Sequence, residues 1–363
     1  MISLTNSAFM LGLDSFLGDL PILLLSLVGG VVADRVDRRK VLLASQYLQM
    51  AFAFLLALLI YLDQVRIWHI LMLSFMAGTA QAFGGPAYQA LIPALVQKRD
   101  LPNAVALNSI QFNLARVLGP VLAGWALTQF GSAACFGLNG LSFIAVILSL
   151  YLMQVNFIPK PRPVGLAEDM RGGLAFVRAD PALKALTGLA FASTFLGIPL
   201  VTMLPLFARD VFGIGSAGYS RLMTFSGMGA VVGALVVAGL GNLPRRGRNT
   251  LVMQGALGLL VTGFAFSRVL WLSYVLLFLG GVALITVFAL IGSLVQLAAP
   301  DELRGRVMSI YMLAFRGGMP LGSLVAGSFS NYFPVSVVLG CGGLMLSCTA
   351  VIFYLLSRPL RTL

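Results

Sequence analysis

The sequence consists mainly of apolar runs of about 20 residues or more, which short polar connections separate. A run of this length crosses the hydrocarbon core of a bilayer as one α-helix, whereas a barrel strand would appear as a shorter segment of alternating polarity. Charged residues make up only 10% of the 363 residues, against about 25% in soluble domains. The chain is therefore predicted to be an all-α integral membrane protein.

Eleven of these runs are predicted to span the membrane. They lie at 8–33, 41–62, 67–95, 103–130, 133–156, 183–208, 218–243, 249–267, 270–298, 303–330 and 335–357. The three cysteines lie inside such runs without CxxC spacing, and there is a single histidine. No disulfide framework, metal site or cofactor is therefore predicted.

The basic turn Asp34–Lys40 sets the direction of the chain. Six of its seven side chains are ionisable, and short loops rich in Lys and Arg stay on the cytoplasmic side. The outer side then receives few basic residues, among them Arg66, Arg209 and Arg268. With eleven spans and no further helix before them, this orientation places the N-terminus outside and the C-terminus in the cytoplasm. It also accounts for the net charge of +12 without a nucleic-acid partner.

The two parts of the chain resemble each other. Residues 108–120 align at a constant offset of 200 with residues 308–320, so that Arg116 corresponds to Arg316. A copy in the same orientation is the parallel repeat of transporters built from two six-helix halves. The predicted domains are an N-terminal half at 1–156, a cytoplasmic linker with a possible amphipathic helix at 157–182, and a C-terminal half at 183–363.

With five spans before the linker and six after it, the first half is one helix short. The missing element corresponds to the first span of such a half. Two explanations stay open: the start of the chain is misassigned, or the chain is truncated.

Two motifs resemble the major facilitator superfamily. The stretch from Gly30 to Lys40 is similar to the signature turn that follows the second helix of that family. Asp37 stands where the broad family usually has glycine, which is similar to the enterobactin-exporter-like branch, also called transmembrane secretion effectors. A longer match to the same branch runs from Pro86 to Gly124, and the similarity covers nearly the whole chain.

This resemblance implies two pseudo-symmetric helical halves that rock about a central cavity, as in a secondary transporter. It implies an exporter driven by proton entry, with a siderophore-like or amphiphilic drug-like small molecule as substrate. The expected location is the bacterial inner membrane, and the protein is expected to be monomeric. The resemblance also implies a conformational lock on the cytoplasmic side, formed by Gly30, Asp34, Arg35, Asp37, Arg38 and Arg39.

The charges of the lock have a physical explanation. Asp34 is expected to face the positive N-terminal end of the helix that starts near Leu303, and the arginines to face Asp301 or Glu302. Such contacts exist only while the cytoplasmic faces are together, so they bias one conformation. The alternative is a topology signal whose charges are simply solvated.

Several polar residues fall inside predicted spans, where a charge needs a cavity or a partner. The candidates for the substrate cavity are Gln89, Asn113, Arg116 and Arg316. Arg116 and Arg316 are expected to bind an anionic substrate or to pair with a membrane carboxylate. Alternatively, Arg116 and Arg316 are structural arginines bonded to helix ends at the seam between the halves.

Asp19 is the candidate for proton coupling, since an intramembrane carboxylate can change its charge during a cycle. The alternatives are a residue of the outer vestibule or the partner of an arginine. Gly119, Pro120 and Gly124 resemble an antiporter motif of the fifth helix, and they are expected to let that helix bend at the moving seam.

An enzyme is not predicted, because the sequence contains no set of nucleophile, base and orienting residue and no phosphate loop. A non-transporting receptor or scaffold with the same fold stays open as an alternative, as does an inactive truncated transporter. The substrate, the coupling ion and the direction of transport are not determined by the sequence.

Overall fold

The computed structural model describes residues 4–5, 7–92, 95–153, 166–239, 246–300, 303–357 and 360. Of the residues predicted to be functional, the side chains of Asp34, Asn113, Arg116 and Pro120 lie outside this description. So do Asp301 and Glu302, the acidic partners expected for the basic turn, and the first part of the linker.

The described chain is helical, which confirms the predicted class. Its helices are α1 (Ala8–Arg35), α2 (Arg38–Tyr61), α3 (Ile67–Leu91), α4 (Leu101–Leu152), α5 (Leu166–Ala179), α6 (Pro181–Gly197), α7 (Pro199–Thr202), α8 (Leu204–Leu206), α9 (Gly215–Gly239), α10 (Arg246–Phe266), α11 (Leu270–Ala298), α12 (Arg304–Phe329) and α13 (Val335–Leu356). A 3₁₀ turn at Lys98–Asp100 precedes α4, and a π-helical turn at Phe207–Val211 follows α8.

Eight helical segments in the described part of the chain are long and apolar enough to cross a membrane. Every one of the eleven predicted spans overlaps a helix. The number eleven and the missing first span stay predictions, because length and composition alone support eight.

Two of the predicted spans are joined in α4. The helix runs for 52 residues, and its backbone departs from helical geometry at Gly131, with φ 78° and ψ 179°. Glycine adopts this conformation without strain because it has no Cβ. The break between the spans therefore falls at a single residue and not in a loop.

The span predicted at 183–208 is divided into α6, α7, α8 and the π-helical turn. Pro199 is the first residue of α7, and Pro205 lies inside α8. Proline has no N–H to donate and its ring clashes with the preceding turn, so each proline interrupts the helical ladder.

The chain forms two compact units. Unit 1 contains residues 1–6, 13–115 and 121–163, and unit 2 contains residues 7–12, 116–120 and 164–363. The first turn of α1 therefore belongs to unit 2 and the rest of α1 to unit 1. The linker helix α5 packs within unit 2 against α6 and α12.

Each unit repeats the same order of helix contacts. In unit 1, α1 packs on α3 through Gly29, where a Cβ would lie 2.2 Å from the carbonyl oxygen of Ala82. In unit 2, α9 packs on α11 through Gly229, where a Cβ would lie 1.9 Å from the carbonyl oxygen of Phe278. The pairs α2–α3 and α10–α11 correspond in the same way. Small residues let membrane helices approach this closely, so the duplication seen in sequence extends to the packing.

Unit 2 is built around α6, which packs against α11, α12 and α13. Its side chains Leu183, Leu186 and Leu189 are fully buried. Among the described residues of unit 1, no helix stands before α1 in the way that α6 stands before α9.

Candidate functional site

The basic turn contains the N-terminal cap of α2. Asp37 is the N-cap of α2, and its Oδ1 accepts a hydrogen bond of 2.9 Å from the backbone N–H of Arg39. The carboxylate satisfies an otherwise unpaired donor and also faces the positive end of the helix dipole. Asp37 therefore has a local structural role that the lock hypothesis did not include.

The two arginines that follow bind helix ends within unit 1. Arg38 donates from Nε to the carbonyl of Ala33 at 3.2 Å and from Nη1 to the carbonyl of Ala90 at 2.9 Å. These carbonyls lie in the last turns of α1 and α3, where a positive charge is favourable. Arg38 therefore ties the two helix ends together.

Arg39 reaches the end of α4. Its Nη2 donates to the carbonyl of Tyr151 at 2.8 Å, and its guanidinium carbon lies 5.8 Å from the centre of the Tyr151 ring. The contact combines a hydrogen bond with a cation–π interaction. Arg35, by contrast, is exposed at the end of α1. Arg35 is thus the arginine of the turn whose guanidinium is most accessible to a partner.

The cap predicts a stability effect for Asp37. Asp37→Ala is expected to lower the free energy of unfolding by about 1 kcal/mol, because α2 loses its N-cap acceptor. Asp37→Ser keeps a capping oxygen and is expected to retain the stability of the unchanged protein. Thermal unfolding of the purified protein in detergent measures both. Equal melting temperatures for the alanine and serine variants would show that the cap does not contribute.

Gly30 differs from its neighbour Gly29. A Cβ at Gly30 would meet no atom within 4 Å. Within the described structure, a close contact between helices therefore does not require glycine at position 30. The presence of Gly30 in the signature turn is not explained by packing. The backbone of Asp34 lies in the last turn of α1.

Asp19 and Asp14 both lie in α1, and both are partly buried. Ser74 of α3 donates from Oγ to Oδ1 of Asp14 at 2.6 Å. Only Asp19 is named from the sequence as the candidate for proton coupling. The hydrogen bond across two helices makes Asp14 a second carboxylate of interest.

Gln89 is exposed on α3 and follows a tyrosine that sequence reasoning passed over. The Tyr88 hydroxyl donates to Oδ1 of Asn108 at 2.5 Å, which joins α3 to α4. The ring of Tyr88 packs edge-to-face on Phe112, with centroids 6.4 Å apart. Unit 1 thus presents aromatic and amide groups together beside Gln89.

Unit 2 has an aromatic cluster at the corresponding helices. Phe288 of α11 lies 200 positions after Tyr88, and its ring packs edge-to-face on Phe315 of α12 with centroids 4.8 Å apart. The ring centroids of Tyr311 and Phe315 are 5.8 Å apart. We call Phe288, Tyr311 and Phe315 the aromatic cluster of unit 2.

Arg316 follows this cluster directly and is exposed. It lies about 18 Å along α12 from Arg304, in the middle of the predicted span 303–330. A guanidinium at such a depth requires water or a partner, because burial in hydrocarbon is costly. An exposed arginine beside aromatic rings is able to bind a molecule that has both an anionic and an apolar part.

The stretch predicted to bend does not depart from helical geometry. Gly119 is exposed, and a Cβ there would meet no atom within 4 Å. Gly124 is buried, and its carbonyl accepts a hydrogen bond of 3.0 Å from the Thr128 hydroxyl. Bending at Gly119 and Pro120 stays a prediction, since the helical break in this structure is at Gly131.

A buried polar network joins three helices of unit 2. Ser193 of α6 donates to Oε1 of Gln254 of α10 at 2.8 Å, and Gln254 donates from Nε2 to the Thr349 hydroxyl of α13 at 3.0 Å. Ser193 and Gln254 are fully buried. The sequence offers no signal for this network, because polar residues in three separate apolar runs do not indicate which helices meet.

The chain is similar to transporters over nearly its whole length. The family model described as transmembrane secretion effector matches residues 1–362. The staphyloferrin A transporter of Staphylococcus aureus is 28% identical over 382 residues, which cover 98% of this chain and 89% of the relative. Macrolide efflux protein A of Streptococcus pyogenes is 23% identical over 359 residues, which cover 96% of this chain and 87% of the relative.

A solved structure has the same fold. It is a bacterial homologue of the human lysosomal transporter Spinster in an inward-facing and occupied conformation, with a TM-score of 0.75 and 15% identity, covering 98% of this chain and 90% of that one. These relatives are membrane transporters and not enzymes. Because the family model covers almost every residue, this chain belongs to the transmembrane secretion effectors, a family of major facilitator transporters.

Proposed function

We propose that this transporter exports an amphiphilic or siderophore-like small molecule across the bacterial plasma membrane, coupled to the entry of protons. The observation that carries the proposal is Arg316, an exposed residue in the middle of α12 that directly follows Phe315 of the aromatic cluster of unit 2. The named activities of two relatives, transport of staphyloferrin A and efflux of macrolides, support this class of substrate.

The proposed binding roles follow from side-chain chemistry. Arg316 binds an anionic group of the substrate, and the rings of Phe288 and Phe315 contact its apolar part. Gln89 and Tyr88 are the proposed hydrogen-bonding residues of unit 1, and Asn113 and Arg116 remain candidates for the substrate cavity. A site with few polar anchors and large apolar walls accepts chemically different amphiphiles.

The lock is proposed to act through Asp34 and Arg35 at the end of α1. Arg38 and Arg39 position this end, because their guanidinium groups bind the carbonyls of Ala33, Ala90 and Tyr151. Asp37 starts α2 at the correct residue. The charges that close the cytoplasmic side are then held by a rigid turn, and Asp34→Asn is expected to slow export without reducing the amount of folded protein.

Proton coupling is proposed for Asp19, with Asp14 as the competing carboxylate. Export is measured in cells that express the chain, as accumulation of a fluorescent amphiphile or a labelled catecholate siderophore with and without a proton uncoupler. Accumulation is expected to be low and to rise with the uncoupler. Asp19→Asn is expected to remove the response to the uncoupler while substrate binding persists. Loss of the response in Asp14→Asn instead would assign coupling to Asp14.

A second candidate function is a receptor or scaffold that does not transport. It shares the fold, which by itself does not demonstrate transport. The accumulation assay separates the two candidates when binding of the fluorescent amphiphile to the purified protein is measured beside it. Low accumulation that rises with the uncoupler supports the transporter, whereas binding without an effect on accumulation supports the receptor or scaffold.

A further inference from the structure

Unit 2 contains an apolar cavity whose lining includes neither Arg316 nor the aromatic cluster. The cavity has a volume of about 460 Å³ and lies between α6, α7, α12 and α13. Its walls include Phe195, Met203, Val325, Val338 and Cys341. The volume falls within the range of small-molecule sites, about 300–1,000 Å³.

The apolar lining of the cavity favours a hydrocarbon ligand. Nearly all of the wall consists of carbon and sulfur atoms from apolar side chains. A ligand that needs hydrogen bonds would lose those with water and find no replacement, which is unfavourable. An alkyl chain loses nothing in this way, and each buried CH₂ group contributes about 0.8 kcal/mol.

The cavity lies near one end of its helices. Val325 and Phe329 belong to the last two turns of α12, at the end opposite Arg304 and Arg306. Phe333 stands in the short turn between α12 and α13, and both Phe329 and Phe333 are exposed. Tyr332 in the same turn is also exposed, and exposed tyrosines at helix ends are typical of the interface between hydrocarbon and water. The cavity is therefore accessible from the bilayer close to the level of lipid headgroups.

A positive charge lies beside this end of the cavity. Arg268 is exposed, and both of its terminal nitrogens donate to the Ser336 hydroxyl at 3.3 Å. Ser336 is one helical turn before Leu339, which lines the cavity, so the two residues share a face of α13. The guanidinium is complementary to a phosphate group on a molecule whose chain enters the cavity.

We propose that this cavity of unit 2 binds an acyl chain of a membrane phospholipid, whose phosphate lies beside Arg268. The site is separate from the proposed transport site and does not depend on it. Its occupant is a lipid of the surrounding bilayer, which presents acyl chains continuously to the exposed opening between α12 and α13.

The test uses the full chain in phosphatidylglycerol vesicles that contain a small share of phosphatidylglycerol with a photoreactive diazirine in one acyl chain. After illumination, mass spectrometry locates the adducts. We expect them on the cavity residues between Val337 and Met345. Cys341→Phe fills the cavity from its wall and is expected to reduce these adducts about tenfold or more, since several buried CH₂ groups are lost.

Cys348→Phe is the matched control, because Cys348 is exposed two turns further along α13 and does not line the cavity. Its adducts are expected to equal those of the unchanged protein. Val338→Phe fills the cavity from another position. Reduced labelling in this variant as well shows that the effect of Cys341→Phe does not come from a local folding defect. The proposal is overturned if Cys341→Phe and Val338→Phe are labelled as strongly as the unchanged protein, or if the labelling is spread evenly along α13.

The headgroup and the identity of the occupant are tested separately. A photoreactive diacylglycerol with the same chain lacks the phosphate and is expected to label less, and Arg268→Gln is expected to remove this difference while Arg268→Lys keeps it. The adducts should fall in proportion as unlabelled phosphatidylglycerol replaces the photoreactive lipid. If the fluorescent amphiphile suppresses them better than the lipid does, the cavity belongs to the transported molecule and the lipid proposal fails.

Discussion

Gly29→Val is expected to lower the stability of unit 1 more than any other substitution considered for the basic turn or its helix. A Cβ at this position would lie 2.2 Å from the carbonyl oxygen of Ala82 and 3.1 Å from the Cα of Phe83. Both atoms belong to backbone, so no side chain can turn aside and α1 must move away from α3. Overpacking of this kind costs about 3 kcal/mol or more, equivalent to a fall in melting temperature of about 10 °C.

Gly30→Val is the matched control on the adjacent residue. A Cβ at Gly30 meets no atom within 4 Å, so the variant is expected to melt within about 2 °C of the unchanged protein. Melting temperature and the monodisperse fraction on gel filtration measure both variants in the same detergent. Comparable melting of the two would contradict the close contact of α1 with α3. Export by folded Gly30→Val also tests the lock. The new side chain disturbs no packing contact in this structure, so a loss of export would be assigned to the lock.

Arg316→Gln is expected to reduce export of an anionic substrate by about tenfold to a hundredfold. A hydrogen bond to a charged group contributes about 1.5–3 kcal/mol, and each 1.4 kcal/mol corresponds to about a factor of ten. Export of a neutral amphiphile should change little, because its contacts are with the aromatic cluster. Arg316→Lys keeps the charge without the planar fork and is expected to give an intermediate rate.

The control for this substitution is Arg221→Gln, which removes an exposed arginine from α9. Its export of both substrates should match that of the unchanged protein. If Arg316→Gln instead lowers the amount of folded protein, or reduces export of neutral and anionic molecules alike, Arg316 is structural. Titration of purified protein with the anionic substrate then separates a loss of binding from a loss of fold.

Helix positions were predictable because insertion in a bilayer depends on local properties of the chain. Each apolar run satisfies its own backbone hydrogen bonds as a helix, whatever its neighbours are. The eleven predicted spans accordingly all overlap helices, and the break within α4 falls between two of them. The motif from Gly30 to Lys40 and the repeat at an offset of 200 led to the same family that the comparison with known proteins shows.

The partners of the functional side chains were not predictable in this way. The lock hypothesis grouped Asp37 with the arginines, whereas Asp37 caps α2 and Arg38 binds a carbonyl 52 residues away. A general signal for the cap existed, since aspartate is favoured immediately before a helix. No comparable signal existed for Ala90 as the acceptor, because every residue offers the same carbonyl group.

The sequence by itself determined the class of the protein, the course of its helices and its family, because hydrophobicity, charge and repetition can be evaluated one segment at a time. Only the tertiary structure decided that Gly29, and not Gly30, is the close contact, that Phe288 packs on Phe315, and that Arg316 is exposed. It also decided that an apolar cavity opens beside α13. These features depend on which faces of distant helices meet, and in a membrane nearly every face is apolar. Hydrophobic pattern therefore does not distinguish a face that packs from one that meets lipid, whereas steric fit between helices does.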